Sequence, residues 1–343
     1  MSETNIEGQY DADDELFEHH RVIVDKGQGL IRIDKFLFDR LEKTSRTRIQ
    51  DACDGGSVRV GGVPVKSSYR VKPQDVITIE LPYPVRELEL IPEDIPLDIL
   101  FEDDQLIILH KNSNMVVHPG HGNYSGTLVN ALLYHFKNLP KRSDAHPGLV
   151  HRLDKNTTGV MVVAKTDFAL HHLSKQFFER TIDRRYAALV WGDIEEDGTV
   201  IGNTGRSLQN RKVFTVFPGG DHGKHAVTHY KVLERFRYVT LVECKLETGR
   251  THQIRVHMKH IGHTLFGDTE YGGDVVLKGT TFPQYKTFVK NCFEILPRQA
   301  LHAKSLSIDH PTTGERMTFH RPLPSDISDV VEKWRRYIQS PTS

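Results

Sequence analysis

The sequence predicts an α+β protein built on a largely antiparallel mixed sheet, with a small two-helix module in front of it. Three observations lead there. Segments of strand and helix periodicity follow one another without regular β-α alternation. Neither G-x-G-x-x-G nor G-x-x-x-x-G-K-[ST] occurs, which disfavours the nucleotide-cofactor folds. At 343 residues and 38% hydrophobic side chains, the chain is long enough for two domains and apolar enough for at least one sizeable core.

Residues 1–18 read as a disordered acidic tail, without the basic start and apolar run of a secretory signal. Residues 19–81 form the small module. Ile33, Phe36, Leu37 and Leu41 fall on one face of a short helix. A second helix spans 45–53, with Ser45 as N-cap, Ile49, Ala52 and Cys53 inward, and Gly55-Gly56 as its stop. A hairpin then turns at Gly61-Gly62, and an alternating strand covers 75–81. Arg32, Lys35, Arg46, Arg48, Lys66 and Arg70 point outward from this module. Residues 82–98 carry four prolines in an acidic stretch and read as an extended linker. Its charge either keeps two basic lobes apart or is the ordinary polarity of a solvated linker.

Residues 99–343 form the second domain. Strands are expected at 106–110, 160–164, 186–191 and 240–247, and helices at 127–136, 167–181, 251–262 and 326–338. In the last helix Ile327, Val330, Val331, Trp334 and Ile338 make a stripe to be buried.

The formal net charge of zero conceals blocks of −7 over 1–20, +4 over 21–80, −7 over 81–104 and +10 over 105–343. Clustered positive charge on folded segments suits a polyanionic partner, and equally an ordinary fluctuation in a chain of this length. No apolar run is long enough to cross a membrane. The three cysteines, Cys53, Cys244 and Cys292, fit neither a disulfide framework nor a Cys-x-x-Cys metal site. A cytoplasmic protein is expected.

Three segments hold polar residues where a purely structural account would not put them. In 148–166, Arg152-Leu153-Asp154 sits between an apolar entry and the turn Asn156-Thr157-Thr158-Gly159 that leads into a strand. A carboxylate there can be aimed at a substrate, or its side chain can simply bond the following turn. Tyr186 opens a strand after Arg180, Arg184 and Arg185, which suits stacking on a base beside its phosphate, or a place in the core. In 246–262, Ile254, Met258 and Ile261 form a buried helical stripe with His252, Arg255 and Lys259 on an adjacent face. Arg250 lies at the helix start, where the macrodipole disfavours a cation, so an anionic partner is the natural explanation.

The strings R-x-D-K-F-L, S-R-T-R-I and G-S-V-R-V-G-G over roughly residues 30–80 resemble the S4 RNA-binding domain. Further along, His151-Arg152-Leu153-Asp154 is followed by Thr157-Thr158-Gly159 and Ala164-Lys165, and T-G-R-T-H-Q-I-R-V-H runs from 248 to 257. With supporting strings at 116–133, 267–273 and 301–315, these resemble the RluA family of pseudouridine synthases, nearest its RluD-type branch acting on large-subunit ribosomal RNA. The resemblance implies the pseudouridine synthase fold with a central cleft, preceded by an S4-like α/β RNA-binding domain. It also implies isomerisation of specific uridines with no cofactor and no metal. By the same match Asp154 is the nucleophile, Arg255 the cation holding its charge, and Tyr186 the ring on the uracil and the later general base. Arg152 fills the gap left by the flipped nucleotide, and His151, Arg250, Arg32, Lys35, Arg46 and Arg48 contact RNA. The expected partner is large-subunit ribosomal RNA or an assembling ribosomal subunit, bound by a monomer.

One departure is visible. Relatives carry N-K-P-x-G where this chain has His110-Lys111-Asn112-Ser113-Asn114, and Asn tolerates the left-handed backbone such a turn needs. Three other functions compete. A synthase could act on another RNA such as tRNA. A non-catalytic RNA-binding assembly factor would have no need to keep Asp154, Tyr186 and Arg255 together. A metal-dependent hydrolase would draw on the 20 histidines, among them His252, His257, His260 and His263, but no H-E-x-x-H is present.

Overall fold

The computed structural model describes residues 17–41, 44–81, 90–120, 122–136, 139–140, 147–210 and 213–339. The chain divides into two compact units, Met1–Glu87 and Leu88–Ser343.

The smaller unit contains strand β1 (Phe17–Ile23), helices α1 (Ile33–Phe38) and α2 (Arg46–Asp54), and strands β2 (Val58–Val60), β3 (Val63–Pro64) and β4 (Val76–Leu81). Its four-stranded sheet has the order β1-β4-β2-β3 with every pair antiparallel. β1 begins at Phe17, inside the segment read as tail, because Phe17 pairs with Leu81 and the ladder runs on to Ile23 opposite Val76. Ile33, Phe36 and Leu37 of α1 and Ile49 and Cys53 of α2 close over Val58, Ile77 and Ile79, the apolar faces read from helical spacing. Ser45 caps α2 by accepting from the Arg48 N–H at 3.3 Å. Gly61 and Gly62 both hold positive φ, as a tight two-residue hairpin turn requires.

One side chain between the helices departs from the apolar pattern. The Asp34 carboxylate is fully buried and accepts from Arg32 at 3.0 and 3.1 Å, Arg46 at 3.1 Å, Gln50 at 2.6 Å and the Lys35 N–H at 2.9 Å. Burial alone would raise its pKa. The bonds from Arg32, Gln50 and Arg46 outweigh burial and hold it well below the usual carboxylate range. Arg32 and Arg46 are thus tied to one anion while remaining about half exposed, and Lys35 and Arg48 are exposed beside them.

Residues 82–89 of the stretch read as a linker lie outside the described residues; residues 90–97 belong to no helix or strand, and Leu90 and Leu97 pack on the core of the larger unit. Strands β5 (Asp98–Glu102) and β6 (Leu106–Lys111), helix α3 (Leu128–His135), strand β7 (Thr158–Ala164), helix α4 (Asp167–Glu179), and strands β8 (Asp183–Trp191) and β9 (Gly198–Arg206) follow. The unit continues with strands β10 (Phe214–Phe217), β11 (Lys224–Arg235) and β12 (Val239–Leu246), and helices α5 (Gln253–His260) and α6 (Pro283–Ile295). Strands β13 (Leu301–Asp309) and β14 (Arg316–His320) and helix α7 (Ser325–Gln339) complete it. Ten strands form one sheet in the order β10-β9-β11-β12-β8-β13-β7-β6-β5, with β14 on β13. Every pair is antiparallel except β13 with β7, so the sheet is the largely antiparallel mixed one expected.

Strand alternation assigns the two faces. Ile107, Leu109, Met161, Val163, Tyr186, Ala188 and Val190 share one core with α3 and with Ile254 and Met258 of α5. On the other face Leu189 and Trp191 meet α6 and α7, while Leu106, Ile108, Val160 and Val162 meet α4. The stripe Ile327, Val330, Val331 and Trp334 of α7 is buried as its spacing required, whereas Ile338 at its end is exposed. Helix α6 had not been anticipated, although Pro283 at its first position and Tyr285, Val289 and Cys292 at i, i+4, i+7 are its signals. β7 and β13 pair over two residues only, Thr158 with His302 and Gly159 with Ala303. A Cβ on Gly159, whose φ is +133°, would collide with the Ala303 carbonyl, so this contact admits only glycine.

Asp34→Ala is expected to destabilise the smaller unit by about 1–3 kcal/mol, read as faster amide hydrogen exchange over residues 17–81 of the full chain. In the native chain the folded pKa of Asp34 lies below its ordinary 3.8. Its stabilisation is therefore complete at neutral pH, begins to fade below 3.8 and is lost as pH falls through the folded value. The variant lacks that acid limb.

Candidate active site

A cavity of about 880 Å³ opens in the larger unit, lined by the 149–154 segment, Thr157, the end of α4, Arg184 and Tyr186 of β8, and residues 246–255. Four of the residues singled out in the sequence, Arg152, Asp154, Tyr186 and Arg255, face this space, with His151 and Arg250 at its wall. Arg32, Lys35, Arg46 and Arg48 belong to the other unit and lie on its two helices and their caps.

Asp154 stands on a short irregular loop whose ends are anchored. Leu153 on one side and Thr157 on the other are buried. The turn after it is closed by the Thr157 N–H donating to the Asp154 main-chain carbonyl at 3.1 Å, so the carboxylate is not spent on the turn. Two buried cations grip the loop's other carbonyls. Lys111 Nζ donates to the carbonyls of Asn112 at 2.7 Å, Met115 at 2.8 Å and Lys155 at 3.0 Å. Burial lowers the Lys111 pKa to about 7 while the Asp154 charge raises it, and three carbonyl acceptors call for the three donors of an ammonium. Arg298 donates to the Asn156 carbonyl at 2.9 Å and is itself held by Asp326, in the first turn of α7, at 2.7 and 2.9 Å. Asn114 takes φ +60°, so the turn that lacks the proline of relatives does use the left-handed backbone that Asn tolerates.

The Asp154 carboxylate faces Arg255 at 3.4 Å. That guanidinium, 5% exposed in its side chain, is gripped more closely from behind: Asp268 accepts at 2.7 and 2.8 Å, and Glu270 at 2.8 Å. Burial works against its charge, but Asp268 first, then Asp154 and Glu270, hold its pKa above the ordinary arginine value. His252 completes the wall. Its backbone is left-handed at φ +55°, its Nδ1 shares a 2.8 Å hydrogen bond with the Tyr271 hydroxyl, and its Nε2 lies 3.9 Å from Asp154. Gln253 pins this turn, accepting from the Thr248 hydroxyl and the Arg250 N–H while donating to the Val227 carbonyl and Thr228. α5 therefore starts at Gln253, two residues later than its spacing predicts.

Tyr186 lies deep in the cavity, 7% exposed, and burial pushes its phenol pKa up; the nearby Arg184 pulls down and Asp154 pushes further up. β8 begins three residues before it, at Asp183, and strand alternation divides the basic cluster. Arg184 lines the cavity with Tyr186, while Arg185 turns to Asp183 and Glu243. Arg152 is exposed at the cavity wall and makes no ion pair among the described residues. His151 is committed in part: its Nε2 accepts from the Val162 N–H at 3.1 Å and its ring stacks on Phe177 at 4.9 Å. Burial pushes its pKa down to about 3, so the ring is neutral and its remaining Nδ1 carries the hydrogen. Arg250 donates to the His225 carbonyl at 3.2 Å.

Sequence reasoning missed the supports: Lys111, His252, Asp268, Glu270 and Arg298. Asp268 and Glu270 stand in the string 267–273 and His252 in 248–257, so the signal was present but carried no assigned role. Nothing local marks Arg298. Among the described residues no group of three or more His, Cys, Asp or Glu is placed to hold a metal ion, and no helix is long and apolar enough to cross a membrane.

Comparison with known proteins gives the following. Residues 105–260 match the family model described as RNA pseudouridylate synthase, and residues 31–77 match the S4 domain. The chain is 46% identical over 325 residues to an uncharacterized RNA pseudouridine synthase of Chlorobaculum parvum, covering 93% of this chain and 99% of that one. It is 44% identical over 307 residues to an uncharacterized RNA pseudouridine synthase of Bacillus subtilis, covering 89% and 94%. It is 42% identical over 313 residues to the ribosomal large subunit pseudouridine synthase D of Nitrosomonas europaea, covering 91% and 87%. Among solved structures, human RNA pseudouridylate synthase domain containing 4 superposes with a TM-score of 0.50 at 24% identity, covering 69% of this chain and 92% of that one, a likeness of fold.

Lys111→Met keeps the length of the side chain but leaves three carbonyls without a donor. A loss of about 3–5 kcal/mol is expected at 1–3 kcal/mol per unsatisfied group with partial relaxation, measured as a fall in the denaturant midpoint.

Proposed function

The chain belongs to the RluA family of RNA pseudouridine synthases, and we propose that it isomerises specific uridines of large-subunit ribosomal RNA at the cavity holding Asp154. The observation that carries this reading is the convergence of Asp154, Arg255 and Tyr186 on one cavity. The reaction breaks the bond between uracil N1 and ribose C1′, turns the base, and joins C5 to C1′. C5 gives up its hydrogen to water and N1 takes a proton, so no electrons are gained or lost.

In this reading Asp154 is the nucleophile that divides the rearrangement into easier steps. Arg255 is its counter-cation, and because Asp268 and Glu270 hold the guanidinium closely while Asp154 sits at 3.4 Å, the carboxylate is oriented without being locked into a tight pair. Tyr186, protonated in the resting enzyme, packs against the uracil. As base for the C5 hydrogen it must pass its own proton on, and Asp154 faces the same cavity. Extruding a uridine costs a few kcal/mol, and exposed Arg152 is suited to fill the vacated stack. Arg250 supplies positive charge at the wall, and His151 holds the loop from β7 with one N–H left for the RNA. Arg32, Lys35, Arg46 and Arg48 give the smaller unit a cationic surface for phosphates, whose hold weakens as salt rises. In the same reading the protein works in the cytoplasm, on free RNA or on an assembling subunit.

The test is release of tritium from large-subunit ribosomal RNA labelled at uracil C5, with and without a chelator. Release that resists the chelator and falls at least about 10³-fold in Asp154→Asn is the expected outcome. Undiminished release from that variant would remove Asp154 from the chemistry.

A further inference from the structure

Helix α4 ends in two consecutive phenylalanines that do opposite things. Phe177 turns inward beneath the His151 ring. Phe178 is 87% exposed, yet it lines the same cavity as Asp154 and Tyr186. The helix stops at Arg180 in the left-handed conformation, without a glycine, so the Phe178 ring stands at the last turn with nothing folding over it. Single exposed apolar side chains are ordinary, and Phe168 on the same helix is one, at 58% exposure and off the cavity. Position sets Phe178 apart: it shares the cavity wall with Arg152, Arg180, Arg184 and Arg250. Arg184 makes no ion pair among the described residues, and its guanidinium lies 5.4 Å from the Phe177 ring. Among the described residues Arg180 has a loose ion-pair partner in Glu247 at 4.0 Å.

An exposed aromatic face among arginines is the arrangement that single-stranded RNA recognises, bases stacking on the ring while phosphates meet the guanidinium groups. The uridine to be isomerised goes to the deep end, against Tyr186. A ring at the rim meets a different base. We propose that Phe178 is a specificity-determining stacking platform for a nucleotide next to the target uridine, with Arg180 and Arg184 on the adjoining phosphates. This rests on the reading of the cavity as a uridine pocket.

Phe178→Ala removes little packing, so its thermal midpoint should match the native chain. In the tritium-release assay on large-subunit ribosomal RNA its KM is expected to rise about 5- to 150-fold, the range that ~1–3 kcal/mol per stacked base corresponds to, with kcat retained. Phe178→Trp should keep a near-native KM, and its added indole fluorescence should be quenched by the RNA and by oligouridylate. Phe168→Ala should behave as the native chain. A KM for Phe178→Ala within twofold of native, an equal loss in Phe168→Ala, or an added indole signal in Phe178→Trp that RNA leaves unquenched would each overturn the proposal. Absence of release by the native chain would count against the uridine reading instead, and quenching by oligouridylate would then decide stacking by itself.

Discussion

A guanidinium buried away from water must be surrounded by anions, and Arg255 imposes that requirement on two stretches of chain. Asp268 and Glu270 come from the turn after α5, and Asp154 from the loop before β7, 101 residues from Arg255 in sequence. Losing Asp268, the buried partner that takes two of the short bonds, would leave a buried charge poorly compensated, which costs several kcal/mol. The closeness of the pairs is graded. Asp268 takes two short bonds and Glu270 one, while Asp154 holds the longest contact and keeps an open side toward the cavity. The same cation that requires neighbours for stability therefore sets the direction of the one of its three carboxylate partners that lines the cavity.

Around that pair the backbone is held by a different device. A tight irregular loop exposes carbonyl oxygens that no ladder satisfies, and here two buried cations satisfy them from below. Lys111 ends β6 and reaches the Lys155 carbonyl; Arg298 precedes β13 and reaches that of Asn156. Through Asp326, Arg298 also ties the loop to the first turn of α7. The loop is thereby tied to the end of β6, the entry to β13 and the first turn of α7, the kind of support that holds a side chain in one direction.

The smaller unit uses the same logic at its surface. Arg32 and Arg46 come from the starts of two helices, and each would be a freely moving cation without a partner. The buried Asp34 draws both to one point and leaves each about half exposed. Two arginines are thereby preorganised at the expense of one negative charge, an arrangement suited to a polyanion whose phosphates replace water on the outer side.

Much of this was legible without coordinates. Apolar spacing identified the faces of α1, α2, α5 and α7, because burial on one side of a helix or strand is a local, periodic demand. Chemistry-bearing residues clustered in ordered strings, so Asp154, Tyr186 and Arg255 could be picked out together. What the sequence could not reveal is which charges share a cavity and which share a bond. Whether Asp154 bonded its own turn or faced a substrate was open until the turn proved to be closed by the main chain. Arg184 and Arg185 are indistinguishable as letters, and only strand alternation sends one to the cavity and the other to Asp183 and Glu243. Arg298 carries no local mark, and Lys111, though it stands in the 110–114 string, shows no role there, since their value lies in reaching carbonyls 142 and 44 residues away. Periodicity and motif content belong to the chain itself; pairing between distant charges exists only once the sheet has brought them within hydrogen-bond range.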